Sequence, residues 1–356
     1  MSQSLVLLRP SANRVYAAEA RRLAAAELAV LLGADGIEAT DLAGVAYLRV
    51  STDDLPLGAL EDALGRLSAF FAAFALRDDG SLQPYPVGRP DRLDDDFVGI
   101  PKYAGKTNEQ FTRLLLNVTL AAATTPSGHG PATVLDPLCG RGTTLSTAWT
   151  LGHSTYGVEL DRAAVEAYAT FLRTYLRRKR RKHTVEVNPL RREGKNLGVR
   201  LSATLGATRD DEVLDLEVVT GDTRDSAALW GKKRFDVVVA DAPYGVVHGS
   251  SRSGGRARSA ADLLAEAVPV WAGQLCPGGA LGLSWNTYHL SREELSAVMG
   301  AAGLTPRHDG PWSRFGHRVD SSVYRDLLVA TAPADRAADP AQPKISANQS
   351  RATARW

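Results

Sequence analysis

Residues 134–145 constrain the fold of this chain more than any other stretch, and their sequence is Val-Leu-Asp-Pro-Leu-Cys-Gly-Arg-Gly-Thr-Thr-Leu. An apolar strand end is followed by Gly140 and Gly142, which tolerate positive φ and close backbone approach, and then by two threonines that can cap a helix. A second apolar segment, residues 155–158, ends in the acid Glu159. This order predicts a doubly wound, Rossmann-like α/β sheet that binds a nucleoside: a strand, a glycine turn, a helix, and a strand with a terminal carboxylate.

The turn departs from the dinucleotide-binding fingerprint in two ways. It has only a Gly-x-Gly spacing, and the acid Asp136 lies inside it. Because Asp136 would repel an anionic pyrophosphate, the turn favours a ligand that carries an ammonium group. S-adenosylmethionine has such a group on its amino acid end, and it has a ribose that Glu159 could bind. On this stretch alone, a tight turn in another type of α/β protein is also open.

A second motif follows another apolar strand, residues 235–240. It consists of Asp241, Ala242, Pro243, Tyr244 and Gly245. An acid, a proline and an aromatic residue at the carboxyl end of a strand lie where open α/β sheets bind ligands. Together the two motifs resemble the cofactor and catalytic motifs of class I amino-methyltransferases, whose usual catalytic tetrad is Asp/Asn-Pro-Pro-Tyr. The trailing glycine and the motif order look most like the tRNA guanosine N2-methyltransferases, the THUMP-associated type, over roughly residues 98–330.

The resemblance implies S-adenosyl-L-methionine as the cofactor and assigns two sets of site residues. The cofactor set is Asp136, Leu138, Gly140, Gly142, Thr143, Glu159, Asp222 and Thr223. In this assignment Glu159 binds both ribose hydroxyls, and Asp222 accepts a hydrogen bond from the adenine amine. The catalytic set is Asp241, Ala242, Pro243 and Tyr244. No metal is implied, because the methyl donor already carries the activation.

The catalytic set suits methylation of an exocyclic amino group, whose lone pair is delocalised into the ring of a base. Asp241 and the carbonyl of Ala242 can accept the two N–H groups and aim the lone pair at a methyl group. Pro243 restricts the backbone before it to extended geometry, and Tyr244 offers a flat face for stacking the base. Ala242 stands where the family usually has proline, which keeps the carbonyl but loses rigidity. The expected substrate is guanosine N2, most of all in tRNA.

Three functions stay open from the sequence. An RNA methyltransferase is favoured over a DNA methyltransferase acting on adenine or cytosine amino groups, because no large target-recognition domain accompanies the motifs. A catalytically silent nucleic-acid-binding protein is the third, motivated by Ala242 and by a short N-terminal region. The sequence does not decide between a monomer and a dimer.

Patterning along the chain predicts four regions. Residues 1–76 show the β-α-β-β-α pattern of a small α+β ferredoxin-like domain, 77–97 form a Pro- and Asp-rich linker, 98–332 form the methyltransferase domain, and 333–356 form a disordered tail. In the first region we expect strands at 4–9, 37–42 and 44–51 and helices at 14–33 and 57–76. This region is shorter than the RNA-binding region of the family that the chain resembles, so a packing or dimerisation role is equally open.

In the methyltransferase region we expect helices at 108–123, 162–182, 260–275 and 292–302, strands at 214–219, 280–285 and 327–330, and a loop or short strands at 183–210. Thr107 and Asn108 can cap the first of these helices or touch the methionine head group. Residues 248–259, rich in glycine and arginine, predict either a substrate lid or a disordered loop.

One run of cations predicts nucleic-acid binding. Its six members are Arg177, Arg178, Lys179, Arg180, Arg181 and Lys182. Residues 171–200 hold eleven Lys or Arg and two Asp or Glu, a local charge of +9 in a chain of net charge +2. Six consecutive cations repel one another, so a polyanionic partner explains the run better than a solvated helix end does. We expect the run to bind an RNA backbone beside the active-site edge of the sheet.

The two cysteines, Cys139 and Cys276, lie far apart in the sequence. Their spacing matches neither a disulfide framework nor a metal-binding motif. The sequence also shows no secretion signal and no apolar run long enough to span a membrane. A reducing cytoplasmic location is therefore expected. Cys139 lies in the glycine turn, where packing as a small side chain is favoured over a nucleophilic role.

Overall fold

A computed structural model describes residues 3–11, 13–53, 55–56, 58–103, 105–124, 130–192, 195–206, 213–243 and 260–335. The described strands form two sheets, one of five strands and one of ten. The expected lid at 248–259, Tyr244, Gly245 and most of the expected tail lie outside the described residues. Within the described part of the chain, no helix combines the length and the apolar character needed to cross a bilayer.

The five-stranded sheet and its two helices come from the N-terminal region. The elements are β1 (Gln3–Leu8), α1 (Arg14–Leu32), β2 (Ile37–Leu42), β3 (Val45–Ser51), α2 (Ala59–Arg66), β4 (Phe70–Leu76) and β5 (Leu82–Tyr85). The strand order is β2-β3-β1-β4-β5, and every pair is antiparallel. The first four strands and both helices follow the β-α-β-β-α-β order of a ferredoxin-like fold, which confirms the predicted class of this region.

The predicted helix at 57–76 is wrong in its second half. The helix α2 ends at Arg66, and Phe70–Leu76 is the strand β4, paired with β1 from Gln3↔Leu76 to Leu8↔Phe70. The apolar spacing of this stretch fits a helix and a strand equally well, and pairing with β1 decides the outcome. The predicted linker also contributes a strand, because β5 pairs with β4.

The remaining elements form the ten-stranded sheet and its flanking helices. They are α3 (Asp96–Gly99), α4 (Glu109–Ala122), β6 (Thr133–Asp136), α5 (Thr143–Thr150), β7 (Ser154–Glu159), α6 (Arg162–Arg178), β8 (His183–Arg192), β9 (Lys195–Leu205), β10 (Leu214–Thr220), α7 (Ser226–Trp230), β11 (Phe235–Asp241), α8 (Ala260–Gly273), β12 (Leu275–Asn286), α9 (Arg292–Ala301), β13 (Thr305–Pro306), β14 (His317–Arg318) and β15 (Tyr324–Thr331). Short 3-10 helices cover Thr223–Asp225 and Gly310–Ser313.

The strand order of this sheet is β13-β15-β12-β11-β6-β7-β10-β9-β8, with β14 paired to β15. The five strands from β12 to β10 are parallel, and β15 runs antiparallel to β12. The chain winds outward from β6 to β10 and then returns to β11 on the other side of β6, which is the doubly wound arrangement expected from the glycine turn. A ligand site is therefore expected at the carboxyl ends of β6 and β11, where the strand order reverses.

Two predicted features of this region differ from the structure. The segment predicted as a loop or short strands forms the long hairpin β8–β9, which extends the sheet beyond β10. The helix α6 ends at Arg178 instead of residue 182, because Arg180 adopts a left-handed backbone with φ of 53° and the Arg181 amide bonds to the Leu176 carbonyl. The cations that follow therefore belong to a helix-ending turn and not to the helix.

The helix α4 packs against α1 of the N-terminal region and against β11, β12 and β15 of the ten-stranded sheet. Its buried Asn117 donates to Glu27 of α1 at 2.7 Å, and Glu27 also accepts from the Ser68 amide at 3.0 Å. Arg113 of the same helix pairs with Asp91 at 2.8 Å. Burial raises the pKa of Glu27 to about 7. These contacts join the ferredoxin-like region to the helix whose N-terminus approaches the carboxyl end of β11.

Candidate active site

The glycine turn between β6 and α5 forms as the sequence predicts. Gly140 and Gly142 have φ of 52° and 78°, the left-handed region that favours glycine. A Cβ on Gly142 would lie 2.4 Å from the ring of Tyr168, so the turn also needs glycine for packing. The expected capping by Thr143 and Thr144 is wrong, because Gly142 is the N-cap and makes no side-chain cap.

The hydroxyls of these two threonines have other partners. Thr144 bonds to the carboxylate of Asp136, and Thr143 lies 2.5 Å from the hydroxyl of Tyr103. The guanidinium of Arg141 lies over the Tyr103 ring at 5.3 Å. The segment before α4 therefore closes over the glycine turn, a contact that the sequence did not reveal because Tyr103 lies in a region without periodicity.

Two predicted cofactor carboxylates lie on either side of the turn. Asp136 accepts from the Leu138 amide at 3.0 Å, and Glu159 accepts from the amides of Gly140 at 2.8 Å and Asp161 at 2.7 Å. Burial, with the nearby charges of Asp241 and Glu159, raises the pKa of Asp136 to about 7, although its bonds to Leu138 and Thr144 oppose the rise. Burial also raises the pKa of Glu159. Because burial disfavours the charged form of these carboxyls, a ligand with a positive end would be favoured here, since it would stabilise that form.

Asp222 lies at the end of the next strand, β10, but its carboxylate is engaged. Both of its oxygens accept from the guanidinium of Arg224, whose Nε lies 2.9 Å from Oδ1, and Arg224 also pairs with Glu266 at 3.0 Å. The hydroxyl of Thr223 accepts from the indole of Trp271 at 3.0 Å. An adenine contact by Asp222 would therefore share this carboxylate with Arg224, while Thr223 faces the core.

Asp241 ends β11, and two hydroxyls from neighbouring elements hold it. The Ser284 hydroxyl of β12 donates to its Oδ1, and the Thr107 hydroxyl donates to its Oδ2 at 2.5 Å. Thr107 therefore contacts the predicted catalytic acid, whereas Asn108 caps α4 by accepting from the Phe111 amide at 3.0 Å. No motif in the sequence predicted a role for Ser284, although a serine in the apolar strand Leu-Gly-Leu-Ser-Trp could have indicated a buried polar role.

The next residue of the catalytic set, Ala242, is held by the same strand, β12. The Ala242 amide donates to the Ser284 carbonyl at 2.8 Å, and its side chain is buried in the core between β11 and α8. Pro243 follows and is exposed. The placement of Tyr244 stays a prediction.

A groove of about 600 Å³ lies next to Thr107, between the N-terminal region and the start of α4. The loop before α1 forms one wall, and the segment from Gly99 to the start of α4 forms the other. Its lining includes Thr107, which bonds to Asp241, and the cations Arg9, Lys102 and Lys106. Among the described residues, no group of three or more His, Cys, Asp or Glu could hold a metal ion.

The basic run does not lie beside the active-site edge of the sheet, where the sequence predicted it. The helix α6 starts at the carboxyl end of β7 and runs back along the sheet for 17 residues, about 25 Å, so the run lies near the opposite edge. Lys179 is also partly neutralised, because its ammonium lies 2.7 Å from both Asp94 and Asp96. The other five cations are exposed. A ligand touching both the run and Asp241 must span the depth of the sheet.

Cys139 has the environment of a packed residue. Its side chain is buried in the cluster that includes Leu145 and Trp149. A Cβ on the neighbouring strand residue Gly157 would lie 2.7 Å from its sulfur, so the contact is close. Burial raises the pKa of the Cys139 thiol well above its usual value. These features favour the packing role over a nucleophilic one.

Several solved methyltransferase structures align with this chain. TrmN from Thermus thermophilus aligns with 93% of this chain and 100% of its own, at 14% identity and a TM-score of 0.44. A methyltransferase from Pyrococcus furiosus aligns with 65% of this chain and 88% of its own, at 14% identity and a TM-score of 0.38. An rRNA methylase from Streptococcus thermophilus aligns with 65% and 99%, at 9% identity and a TM-score of 0.35. No protein-family model and no curated protein sequence matches the chain.

Proposed function

We propose that this chain is an S-adenosylmethionine-dependent methyltransferase that acts on an exocyclic amino group of an RNA base, with guanosine N2 in tRNA as the first candidate. One observation supports this above the others. Asp241, at the reversal of strand order, is oriented by hydroxyls from two different elements and lies close enough to Asp136 to raise its pKa. A carboxyl acceptor beside the carboxyl of Asp136 suits a cationic methyl donor and an amine substrate.

The residues of the turn fit this cofactor. Gly140 and Gly142 allow its backbone to follow the ligand closely, and Asp136 offers a carboxylate near which an ammonium group would be stabilised. Glu159 is held by two backbone amides with its carboxylate at the end of β7, as required to accept from ribose hydroxyls. When bound, S-adenosylmethionine supplies an activated methyl group on a sulfonium.

The chain's own contribution is to orient the amine. A carboxylate accepts up to about four hydrogen bonds, so holding Asp241 with two hydroxyls is compatible with accepting an amine N–H as well. The Ala242 carbonyl would accept the other N–H, and the bond from the Ala242 amide to β12 fixes the peptide before it. With both N–H groups held, the nitrogen lone pair has one direction. Positioning of this kind can lower a barrier by roughly 7–11 kcal/mol.

Transfer of tritium from labelled cofactor tests the proposal. Purified protein would be incubated with bulk tRNA, with ribosomal RNA and with genomic DNA, and nucleosides from any labelled sample would be separated by chromatography. Label in N2-methylguanosine from tRNA is the expected result. Label in DNA alone would indicate the adenine or cytosine alternative. Absence of label from every substrate, in protein shown to bind the cofactor, would favour the silent nucleic-acid-binding alternative.

A further inference from the structure

Two tyrosine rings lie together at the carboxyl edge of the ten-stranded sheet. Tyr288 follows the end of β12 and is 59% exposed, and Tyr324 begins β15 and is 39% exposed. Their ring centroids are 6.5 Å apart with an interplanar angle of 46°. Paired exposed rings that no described part of the chain covers present an aromatic surface to a ligand.

A single buried side chain holds the backbones of both tyrosines. Asn286 is 3% exposed, and its Oδ1 accepts from the amides of Tyr288 at 3.3 Å and Tyr324 at 3.2 Å. Its Nδ2 donates to the Ser322 carbonyl at 3.1 Å. The next residue, Thr287, donates its amide to the Tyr324 carbonyl at 2.9 Å. The two rings are therefore presented from a fixed turn, which reduces the entropy lost when a ligand stacks on them.

A cation lies on the same face as Tyr324. Arg318 of β14 pairs directly with Tyr324 across the antiparallel ladder, and directly opposed residues project to one side of a sheet. Arg318 is exposed, and its Nε donates to the Asp320 carbonyl at 3.0 Å. Aromatic rings beside a cation are the combination by which proteins bind single-stranded nucleic acid without reading its sequence.

The strand register places the backbones of Tyr324 and Asp241 at the same carboxyl edge, with their side chains on opposite faces of the sheet, because an odd number of residues separates Tyr324 from the level of Asp241. A nucleic-acid strand that contacts both therefore crosses this edge. Ser284 is paired with Asp241 on one side and with Leu327 on the other, and Tyr324 lies three residues beyond Leu327 toward the carboxyl edge. With about 3.4 Å per residue and about 4.8 Å between strands, the Cα atoms of Tyr324 and Asp241 are roughly 14 Å apart. Four stacked nucleotides span about this distance.

We propose that Tyr288 and Tyr324, with Arg318 beside them, form a tyrosine platform on which bases flanking the target nucleotide stack. The inference rests on the proposed function, because it takes the occupant to be a single-stranded part of the RNA substrate. The platform recognises the flat faces of bases and the phosphates between them. It thereby fixes the strand at one end while the target base enters the site beside Asp241.

Binding of a fluorescein-labelled single-stranded oligoribonucleotide of about twelve nucleotides tests the platform. Stacking contributes enough that Tyr288→Ala and Tyr324→Ala should each weaken binding by about 5- to 150-fold. Tyr288→Phe and Tyr324→Phe keep the ring and should bind within about twofold of wild type. Phe71→Ala is the matched control, since Phe71 is 61% exposed on the other sheet and its loss should leave affinity unchanged.

An abasic oligonucleotide of the same length separates stacking from backbone contacts. On that probe the alanine variants should bind as wild type does. Equal affinity of wild type and both alanine variants for the base-containing probe overturns the platform, even if the wild type methylates tRNA. Loss of binding in these variants, in a protein that methylates no nucleic acid, would retain the platform and reject the proposed function.

Discussion

Neutralising part of the basic run should change how RNA affinity depends on salt. We choose Arg177, Arg181 and Lys182, because each is exposed and, within the described part of the chain, each lies outside the ion pairs. The triple change to glutamine leaves α6 intact, since its closing bonds are made by backbone atoms. Lys179→Gln is the matched control from the same run, because its ammonium already has two carboxylate partners.

The magnitude follows from counterion release. Each phosphate neutralised adds about 0.7 to the slope of log affinity against log salt for single strands and about 0.9 for duplexes. Three cations in contact with phosphates therefore contribute about 2.1 to 2.7 to the slope. Over a fourfold rise in salt, from 50 to 200 mM, the wild type should lose about 20- to 40-fold more affinity than the triple variant does. The slope of Lys179→Gln should stay within about half a unit of wild type.

The position of the run adds a length requirement. The run lies about 25 Å along α6 from the edge that carries Asp241, so a stacked hexaribonucleotide, about 20 Å long, does not reach it when bound at that edge. Fluorescence anisotropy at four salt concentrations, with tRNA and with the hexamer, measures both effects. We expect a flatter slope for tRNA only. Identical tRNA slopes for the wild type and the triple variant would show that the run does not contact the substrate.

Three further outcomes are expected. Glu159→Gln should weaken S-adenosylmethionine binding in calorimetry at least about tenfold. The glutamine side chain has one acceptor oxygen, whereas the Gly140 amide and the ribose hydroxyls together need two. Unchanged affinity would remove Glu159 from the site. Asp241→Ala should abolish methyl transfer, and Ser284→Ala should reduce kcat. Both variants should keep cofactor affinity within a few-fold of wild type. Near-normal turnover by Asp241→Ala would refute the amine-orienting role. The pKa of Glu27 is raised to about 7 in the folded protein, so its contribution to folding stability is present in full below about pH 4.5 and is lost as pH rises through about 7, by up to about 3 kcal/mol. In urea melts, the unfolding free energy should therefore decrease less from pH 5 to pH 8 in Glu27→Gln than in wild type. An equal decrease in wild type and variant would contradict that assignment.

The sequence by itself determined the class of both sheets and the elements that surround the candidate site. These elements are local properties, since each depends on a residue type next to an apolar strand. They are the positive φ of Gly140 and Gly142, the acid that ends β7 and the acid that ends β11. The carboxyl ends of parallel strands meet at one edge, so these residues could be placed together without knowledge of any contact. The same reasoning gave the limits of α1, where Asn13 caps the first turn and Gly33 ends the helix.

The tertiary structure decided the features that depend on long-range partners. Phe70–Leu76 is a strand because β1 offers it a ladder, and the segment after residue 183 is a hairpin because β10 exposes an edge to β9. The orientation of Asp241 depends on Ser284 and Thr107, which are distant in sequence and carry no motif. The basic run lies at the far edge because a crossover helix must run antiparallel to the strands it connects. In each case the structure is selected by the free energy of contacts between segments far apart in the chain, and a local sequence pattern does not encode such contacts.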